Sequence, residues 1–363
     1  MTGHEVLVGI NGYGRVGRAF HRIALHDPAI RVVAVNSRSK ADMLAHLLEY
    51  DSVYGRLNGN ITVNETKLSI NGQTVHAYQE PTPATIPWER QGVEVVIDAT
   101  GKFKDRASLD QHLRGSVQHV IVCCPPKDDR IPSVVVGVNE DRIPLAEQPV
   151  LSNASCTTNA LAPMLSVLDE AFGLVFCSFR TIHALTDSQH LLDNAGEDPR
   201  RSRAAMESII PTSTGASSMI GPIFPHLLGK VHGLAYRVPT RSVSNLDLCV
   251  QLRSRPAAEE VNRAFIEAAR GGLEGILGVT DKALVSIDFK GDPRSVIVDL
   301  SLTSACGDGL YTLAGWYDNE WGYCARLADL VRCLVRARVA PEVGSPALSQ
   351  REETWPCAIS ATV

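Results

Sequence analysis

The sequence lacks the features that would carry it into a membrane or out of a cell. No apolar run reaches the ~18 residues a membrane helix requires. The opening Met1-Thr2-Gly3-His4-Glu5 has neither the basic stretch nor the long apolar core of a secretion signal. These absences predict a cytoplasmic protein. Charge of one sign is scarce as well: 35 basic against 40 acidic residues leave a net charge of -5. That is too small an imbalance for a general nucleic-acid or membrane-surface binder. Nine cysteines occur, but none in a Cys-x-x-Cys pair. This argues against zinc-ribbon and thioredoxin-type sites, and no metal is expected. An odd count without a secretion signal reads as free thiols, each by default an inert buried residue.

What is present suits two domains. The 363 residues are 44% hydrophobic and 21% charged, enough for two cores. Val6–Ile10, Val32–Val35, Val93–Ile97, His119–Cys123 and Ser133–Val138 read as strands. Helical patterns at Arg15–Leu25, Ser39–Tyr50 and Lys104–Arg114 fall between some of them, the rhythm of an α/β fold with a mostly parallel sheet. Ile61–Tyr78 reads instead as a hairpin turning at Asn71-Gly72.

The rhythm changes after residue 155. A helix is expected over Cys156–Phe172, then a strand over Leu174–Thr181. The polar stretch Asp187–Arg203 has little periodicity and reads as a long loop, a kind of segment that usually serves function. Leu246–Leu252, Val285–Phe289 and Val296–Leu300 read as strands of a larger antiparallel sheet, with a helix Glu259–Ala269 between the first two. An amphipathic helix from Glu320 to Val339 closes the pattern. The expected domains are residues 1–155, completed by the closing segment 319–339, and residues 156–318. Residues 340–363, with three prolines and little pattern, are expected to form a disordered tail.

Gly12-Tyr13-Gly14-Arg15-Val16-Gly17 directly follows the first strand and opens the first helix. The first glycine permits a tight turn, the second lets backbone approach a pyrophosphate, and the third brings helix against strand. The helix N-terminus adds N–H groups and positive potential. Dinucleotide binding is expected, a ligand-free βα turn being the alternative. In such sites the second strand commonly ends on a carboxylate that binds ribose hydroxyls. Here it ends Asn36-Ser37-Arg38. A hydroxyl and a guanidinium suit a 2′-phosphate that a carboxylate would repel, so NADP acceptance is favoured over a merely solvated turn.

Ser152-Asn-Ala-Ser-Cys-Thr-Thr-Asn159 places Cys156 at a helix start, where positive potential is expected to lower its pKa. The hydroxyls of Ser155 and Thr157 flank it and could donate to an anionic group. His183, 27 residues on, could pair with a thiolate and act as general base. Spacing alone leaves this pairing open.

Further motifs close the gap. Ser152-Asn-Ala-Ser-Cys-Thr-Thr-Asn159 resembles the signature of glyceraldehyde-3-phosphate dehydrogenases. So do Ile10-Asn-Gly-Tyr-Gly-Arg-Val-Gly-Arg18, Ala45-His-Leu-Leu-Glu-Tyr-Asp-Ser52 and Ile209-Ile-Pro-Thr-Ser-Thr-Gly-Ala216. Arg237-Val-Pro-Thr240 and Trp316-Tyr-Asp-Asn-Glu-Trp-Gly-Tyr323 complete a set running from about residue 5 to 338. The resemblance implies a Rossmann-type dinucleotide-binding domain plus an α+β catalytic domain with a mostly antiparallel sheet. It implies a homotetramer that oxidises a small phosphorylated aldehyde with NAD or NADP and inorganic phosphate, through a Cys156 thioester with His183 as base. Cofactor contacts are implied at the glycine loop, Asn36, Ser37, Arg38, Thr100, Gly101, Cys123, Asn194, Ala195, Asn319 and Tyr323. Thr186 and Arg237 would hold the substrate phosphate, and Ser155, Thr157, Thr214 and Gly215 the attacking phosphate. Erythrose-4-phosphate dehydrogenase, which hydrolyses its thioester, is the alternative enzyme; a non-catalytic redox-sensing or partner-binding homologue is the alternative of another class.

The chain also departs from the family pattern. Ser37 stands where NAD-using members carry Asp, and Asp193-Asn194-Ala195 stands for Asp-Leu-Pro. Both changes resemble NADP-accepting members. Ala160 replaces a frequent second cysteine, Cys123-Cys124 a common Ser-Ala, and Ser188 a frequent acidic residue. The tail carries a single cysteine, Cys357, which by itself supports no disulfide switch.

Overall fold

A computed structural model describes residues 5–339. The expectations for the tail 340–363 and for Cys357 fall outside the described residues. The first half runs β1 (Val6–Asn11), α1 (Arg15–Ala24), β2 (Ile30–Asn36), α2 (Ala41–Glu49) and a small hairpin, β3 (Tyr50–Asp51) with β4 (Gly55–Arg56). It continues through β5 (Ile61–Asn64), β6 (Lys67–Ile70), β7 (Gln73–Tyr78), β8 (Val95–Asp98), α3 (Arg106–Leu109), β9 (His119–Val122) and β10 (Val150–Ser152). The second half comprises α4 (Cys156–Phe172), β11 (Leu174–His183), β12 (Ile210–Thr212), α5 (Ala216–Ile223), β13 (Val231–Arg237) and β14 (Ser244–Leu252). Then follow α6 (Ala258–Arg270), β15 (Leu277–Thr280), β16 (Val296–Gly307), β17 (Leu310–Tyr317) and α7 (Trp321–Val339).

Two large sheets result. The first has the order β10-β9-β8-β1-β2-β7-β6-β5, parallel from β10 to β7 and antiparallel beyond. β2 lies on one side of β1 and β8 on the other, so the chain reverses its winding between β1 and β8. The crevice beyond the carboxyl ends of those strands is where open α/β sheets bind ligands. The second sheet has the order β12-β13-β11-β14-β17-β16-β15, antiparallel except for the β11–β13 and β15–β16 pairs. Helices α4 and α6 pack on one face of it. On the other, β14 alternates buried and exposed positions, and Phe176, Leu234 and Leu310 remain exposed. The closing helix α7 packs against α1 and α4.

Several local expectations need correction. Of Ser133–Val138 only Ser133 makes a bridge, to Ser152. The Asn139 side chain instead accepts the Val135 N–H (2.7 Å) and donates to the Ser133 carbonyl (2.9 Å), bending the segment into turns. Val285–Phe289 is not a strand: Ser286–Phe289 is a 3-10 turn, closed where the Asp288 carboxylate accepts the Val285 N–H at 2.8 Å. The expected hairpin is a three-stranded meander, because Glu65 also takes a left-handed φ of 53° and makes a second turn. The Lys104–Arg114 helix splits into α3 and the 3-10 turn Asp110–His112. The small hairpin β3–β4, strands β10, β12, β13, β15 and β17 and helix α5 were not legible as such.

Candidate active site

The turn before α4 is built by its own side chains. Ala154 sits at φ 51°, a costly left-handed conformation for a residue with a Cβ. Ser152 Oγ accepts the Ala154 N–H at 3.0 Å, and Asn159 Nδ2 reaches back to the carbonyls of Asn153 (2.8 Å) and Ser155 (3.1 Å). Ser155 caps the helix, its Oγ accepting the Thr158 N–H at 3.1 Å. These bonds over-determine the turn and set Cys156 as the first residue of α4.

Facing it, His183 ends β11, with Nε2 3.5 Å from Cys156 Sγ. The Ala184 carbonyl lies 2.7 Å from Nδ1 and can only accept. A proton on Nδ1 meets this carbonyl and leaves the Nε2 lone pair facing the sulfur, whereas Arg237 Nη1, which can only donate, closes on the same Nδ1, so the two contacts of that nitrogen call for opposite tautomers. Arg237, at the end of β13, closes on the same imidazole and also donates to the Ala184 carbonyl at 3.3 Å. Tyr317 braces the pair from behind. Its hydroxyl bonds Thr157 (3.0 Å) and Thr181 (2.8 Å), and its ring meets His183 edge-on, with centroids 6.2 Å apart.

The electrostatics correct one expectation. Burial pushes the Cys156 thiol up, against the opposing pull of Arg237 and of N–H groups at the start of α4. The helix start acts in the expected sense, but desolvation outweighs it in the free chain. Burial, reinforced by Arg237, lowers His183 to about 3. Burial also lowers His21, on the inner face of α1 where the Tyr13 hydroxyl donates to it at 2.5 Å, to about 3. Both histidines thus bind a proton more weakly folded than unfolded, where the value is ~6.5. Stability is accordingly lost as pH falls from about 6.5 towards 3, by at most ~2.7 kcal/mol per pH unit for the two. Urea midpoints at pH 7 and pH 5 test this: the midpoint should fall at pH 5, and His21→Gln should remove about half of the dependence. Equal midpoints in the unaltered chain would contradict it.

The glycine loop suits a dinucleotide. Gly12 has φ +93°, and a Cβ there would lie 2.7 Å from the Thr100 N at the end of β8. A Cβ at Gly17 would strike the Gly12 carbonyl at 2.4 Å, whereas one at Gly14 would meet nothing within 4 Å. Gly14 precedes α1, whose first N–H groups have no side-chain cap. They are left to an anion such as a pyrophosphate. Two loop side chains have other work. Tyr13 is buried on His21, and Arg15 is held by Asp51 and Glu320, joining α1 to the start of α7. Val16 is half-buried against the core. Asn36 is buried, while Ser37 is half-buried and Arg38 exposed with no ion pair among the described residues. Thr100 turns its hydroxyl to Asp98 (2.6 Å), and Gly101 takes φ +65°. Asn319 is buried, its oxygen accepting from Ser244 Oγ at 3.1 Å, so its amide N–H₂ faces away from that bond. Tyr323 is buried beside Cys123, whose thiol burial pushes well up. Asn194 and Ala195 are exposed on the long loop.

A cavity of about 170 Å³ is lined by Ser155, Cys156, Thr157, His183, Thr214, Gly215 and Arg237. Thr186 does not line it; its hydroxyl bonds Ser188 at 2.9 Å on the adjoining loop. Thr157 contributes less freely than its position suggested, since its hydroxyl is committed to Tyr317. Sequence reasoning gave no role to Tyr317, Ser244 or Arg201. Arg201 Nε bonds Thr212 at 2.8 Å, beside the Thr214 turn, and its charge acts on Arg237. A larger cavity, about 330 Å³, lies between α1, α7 and Gly275, remote from the thiol; its Arg326 and Arg332 are paired with Asp329 and Asp27.

Both halves of the chain match known proteins. Residues 6–106 match the family model described as glyceraldehyde 3-phosphate dehydrogenase, NAD binding domain, and residues 155–319 match its C-terminal domain. The chain is 45% identical over 331 residues to glyceraldehyde-3-phosphate dehydrogenase 1 of Bacillus subtilis, covering 91% of this chain and 98% of that one. It is 45% identical over 327 residues to the Streptomyces coelicolor enzyme, covering 90% and 97%. The chloroplastic enzyme A of Chlamydomonas reinhardtii is 42% identical over 339 residues, covering 93% and 90%. A thiol and an imidazole in one cavity lined by hydroxyls and an arginine, a glycine loop suited to a dinucleotide and these matches place the chain in the glyceraldehyde-3-phosphate dehydrogenase family.

Proposed function

We propose that the protein is a phosphorylating glyceraldehyde-3-phosphate dehydrogenase, which converts D-glyceraldehyde 3-phosphate and inorganic phosphate to 1,3-bisphosphoglycerate. The observation that carries this is Cys156 Sγ 3.5 Å from His183 Nε2 in a cavity shared with Arg237, Thr214 and Gly215. Sγ adds to the aldehyde carbon, its proton passing to Nε2 and on to the new alkoxide to give a thiohemiacetal. Nε2 then takes the hydroxyl proton as hydride leaves the carbon. A bound nicotinamide dinucleotide supplies the hydride acceptor. The resulting Cys156 thioester is displaced by phosphate held at the Thr214-Gly215 turn, and the thiolate leaves towards His183. Arg237 and Thr186 clamp the substrate's own phosphate. That dianion offsets the Arg237 charge, the lesser of the two causes that hold His183 low, burial being the larger.

Reduction of the dinucleotide should require both the aldehyde and phosphate. Equal rates without phosphate would point to a hydrolysing enzyme such as erythrose-4-phosphate dehydrogenase instead.

The coenzyme reading extends to NADP, on the strength of Ser37 and Arg38 at the β2 tip and Asn194 and Ala195 on the loop. Ser37→Asp should raise the KM for NADP roughly tenfold or more while leaving that for NAD similar or lower. Paired titrations with the two coenzymes decide it; a strong NAD preference untouched by the substitution would defeat this reading. A homotetramer working in the cytoplasm completes the proposal, supported by the exposed Phe176, Leu234 and Leu310 of the second sheet. No helix of the described residues is long and apolar enough to cross a membrane.

A further inference from the structure

Asp98, fully buried at the end of β8, takes no part in the chemistry above, yet four donors converge on it. Its Oδ1 accepts from the Thr100 N–H (3.1 Å) and hydroxyl (2.6 Å); Oδ2 accepts from Asn11 Nδ2 (2.8 Å) and His112 Nε2 (3.2 Å). Trp88 Nε1, which can only donate, meets His112 Nδ1 at 3.0 Å. The imidazole therefore carries its proton on Nε2 and presents it to Asp98.

A carboxylate can only accept, and this sets the direction of the amides beyond it. Asn11 must turn its N–H₂ to Asp98 and its oxygen outward, where Asn36 Nδ2 donates at 2.8 Å. Asn36 Oδ1 is then left to accept the Glu80 N–H at 2.8 Å, while its Nδ2 also reaches the Glu80 carbonyl at 3.1 Å. The relay Trp88, His112, Asp98, Asn11, Asn36 crosses the tips of β8, β1 and β2, and none of its members is more than 6% exposed. It ends on the residue before Ser37 and Arg38.

We infer that Asp98 is a positioning residue for the coenzyme site: through Asn11 and Asn36 it holds the β2 tip, and through Thr100 the β8 tip, in the arrangement that reads the adenosine ribose and its 2′-phosphate. This rests on the reading of Ser37 and Arg38 as coenzyme contacts. An amide at position 98 cannot serve, because whichever way it turns its N–H₂ faces either Thr100 or the Asn11 and His112 donors. The relay then loses its fixed direction.

The test is Asp98→Asn, titrated with NADP and with NAD by quenching of tryptophan fluorescence and then assayed in the steady state. The dissociation constant for the tighter coenzyme should rise about tenfold, and the ratio between the two coenzymes should shrink. Turnover at saturating coenzyme and the aldehyde KM should stay within about twofold, a split that mere loss of stability would not produce. Unchanged dissociation constants and ratio would overturn the inference. If Asp98→Asn fails to fold, Asn11→Ala cuts the relay between Asp98 and Asn36 and should give the same shift; unchanged coenzyme affinity there is equally fatal. The binding comparison needs no turnover, so failure of the unaltered chain to oxidise the aldehyde would strike the functional reading alone.

Discussion

Cys156→Ser should lower turnover by at least ~10³-fold while leaving the coenzyme dissociation constant unchanged. A serine hydroxyl at this position is the nearest replacement in shape, but it is smaller, stands farther from His183 and loses the nucleophile. Its proton would also be far harder to move, because a hydroxyl is a much weaker acid than a thiol and the imidazole facing it is a weak base, at about 3. The glycine loop, Asn36 and Asn319 are untouched, so coenzyme binding should persist. Mass spectrometry after mixing with aldehyde and coenzyme adds a direct readout: the native chain should carry an acyl group on Cys156 in the absence of phosphate, and the variant none. Turnover within about tenfold of native would sink the thioester mechanism.

His183→Asn should cost ~10²- to 10⁴-fold in turnover. The asparagine can keep a bond to the Ala184 carbonyl, so the loop after β11 should stay in place, but nothing remains to take the thiol or hydroxyl proton. The loss should appear in the rate of the hydride step, followed by stopped-flow absorbance, with little change in coenzyme affinity. The rate of Cys156 alkylation at neutral pH should fall too, since the thiol loses the proton acceptor 3.5 Å away. A normal hydride step would assign the base to another residue.

The sequence was most legible where local chemistry decides structure. Helix α4 runs from Cys156 to Phe172 as expected, because Ser155 caps its start and Gly173, with φ 71°, ends it. The glycine loop was equally plain. Strand β13 was not, although it delivers Arg237: Val231–Arg237 is interrupted by His232 and Gly233. That glycine is explained only by a distant neighbour, since a Cβ there would lie 2.3 Å from the Phe179 ring. Val285–Phe289 misled in the opposite direction. Its apolar alternation suits a strand, but the Asp288 side chain captures the local N–H and closes a turn instead.

The candidate site divided along the same line. Cys156, His183 and the Thr214-Gly215 turn, which line one cavity, could be singled out from motifs. The sign of the thiol shift could not, because it depends on how deeply Cys156 is buried. Nor could the engagement of Arg15 by Asp51 and Glu320, which joins segments far apart in the chain. Tyr317, Ser244 and the buried Asp98 act by holding other side chains, and nothing in the spacing of a single sequence marks such work.

His183 and Arg237 are register partners at the ends of the parallel pair β11–β13. In the proposed function, the gap between proton acceptor and phosphate anchor is therefore a ruler ruled in main-chain hydrogen bonds. An aldehyde with its phosphate one carbon nearer or farther would have to take up the difference in its own conformation or in the loops around the cavity. Retuning the gap itself would mean sliding one strand along the other, and a slip of one residue would turn every side chain on that strand to the opposite face. The sheet thus fixes the gap, and redesign for a longer aldehyde should begin in the loops that approach the cavity.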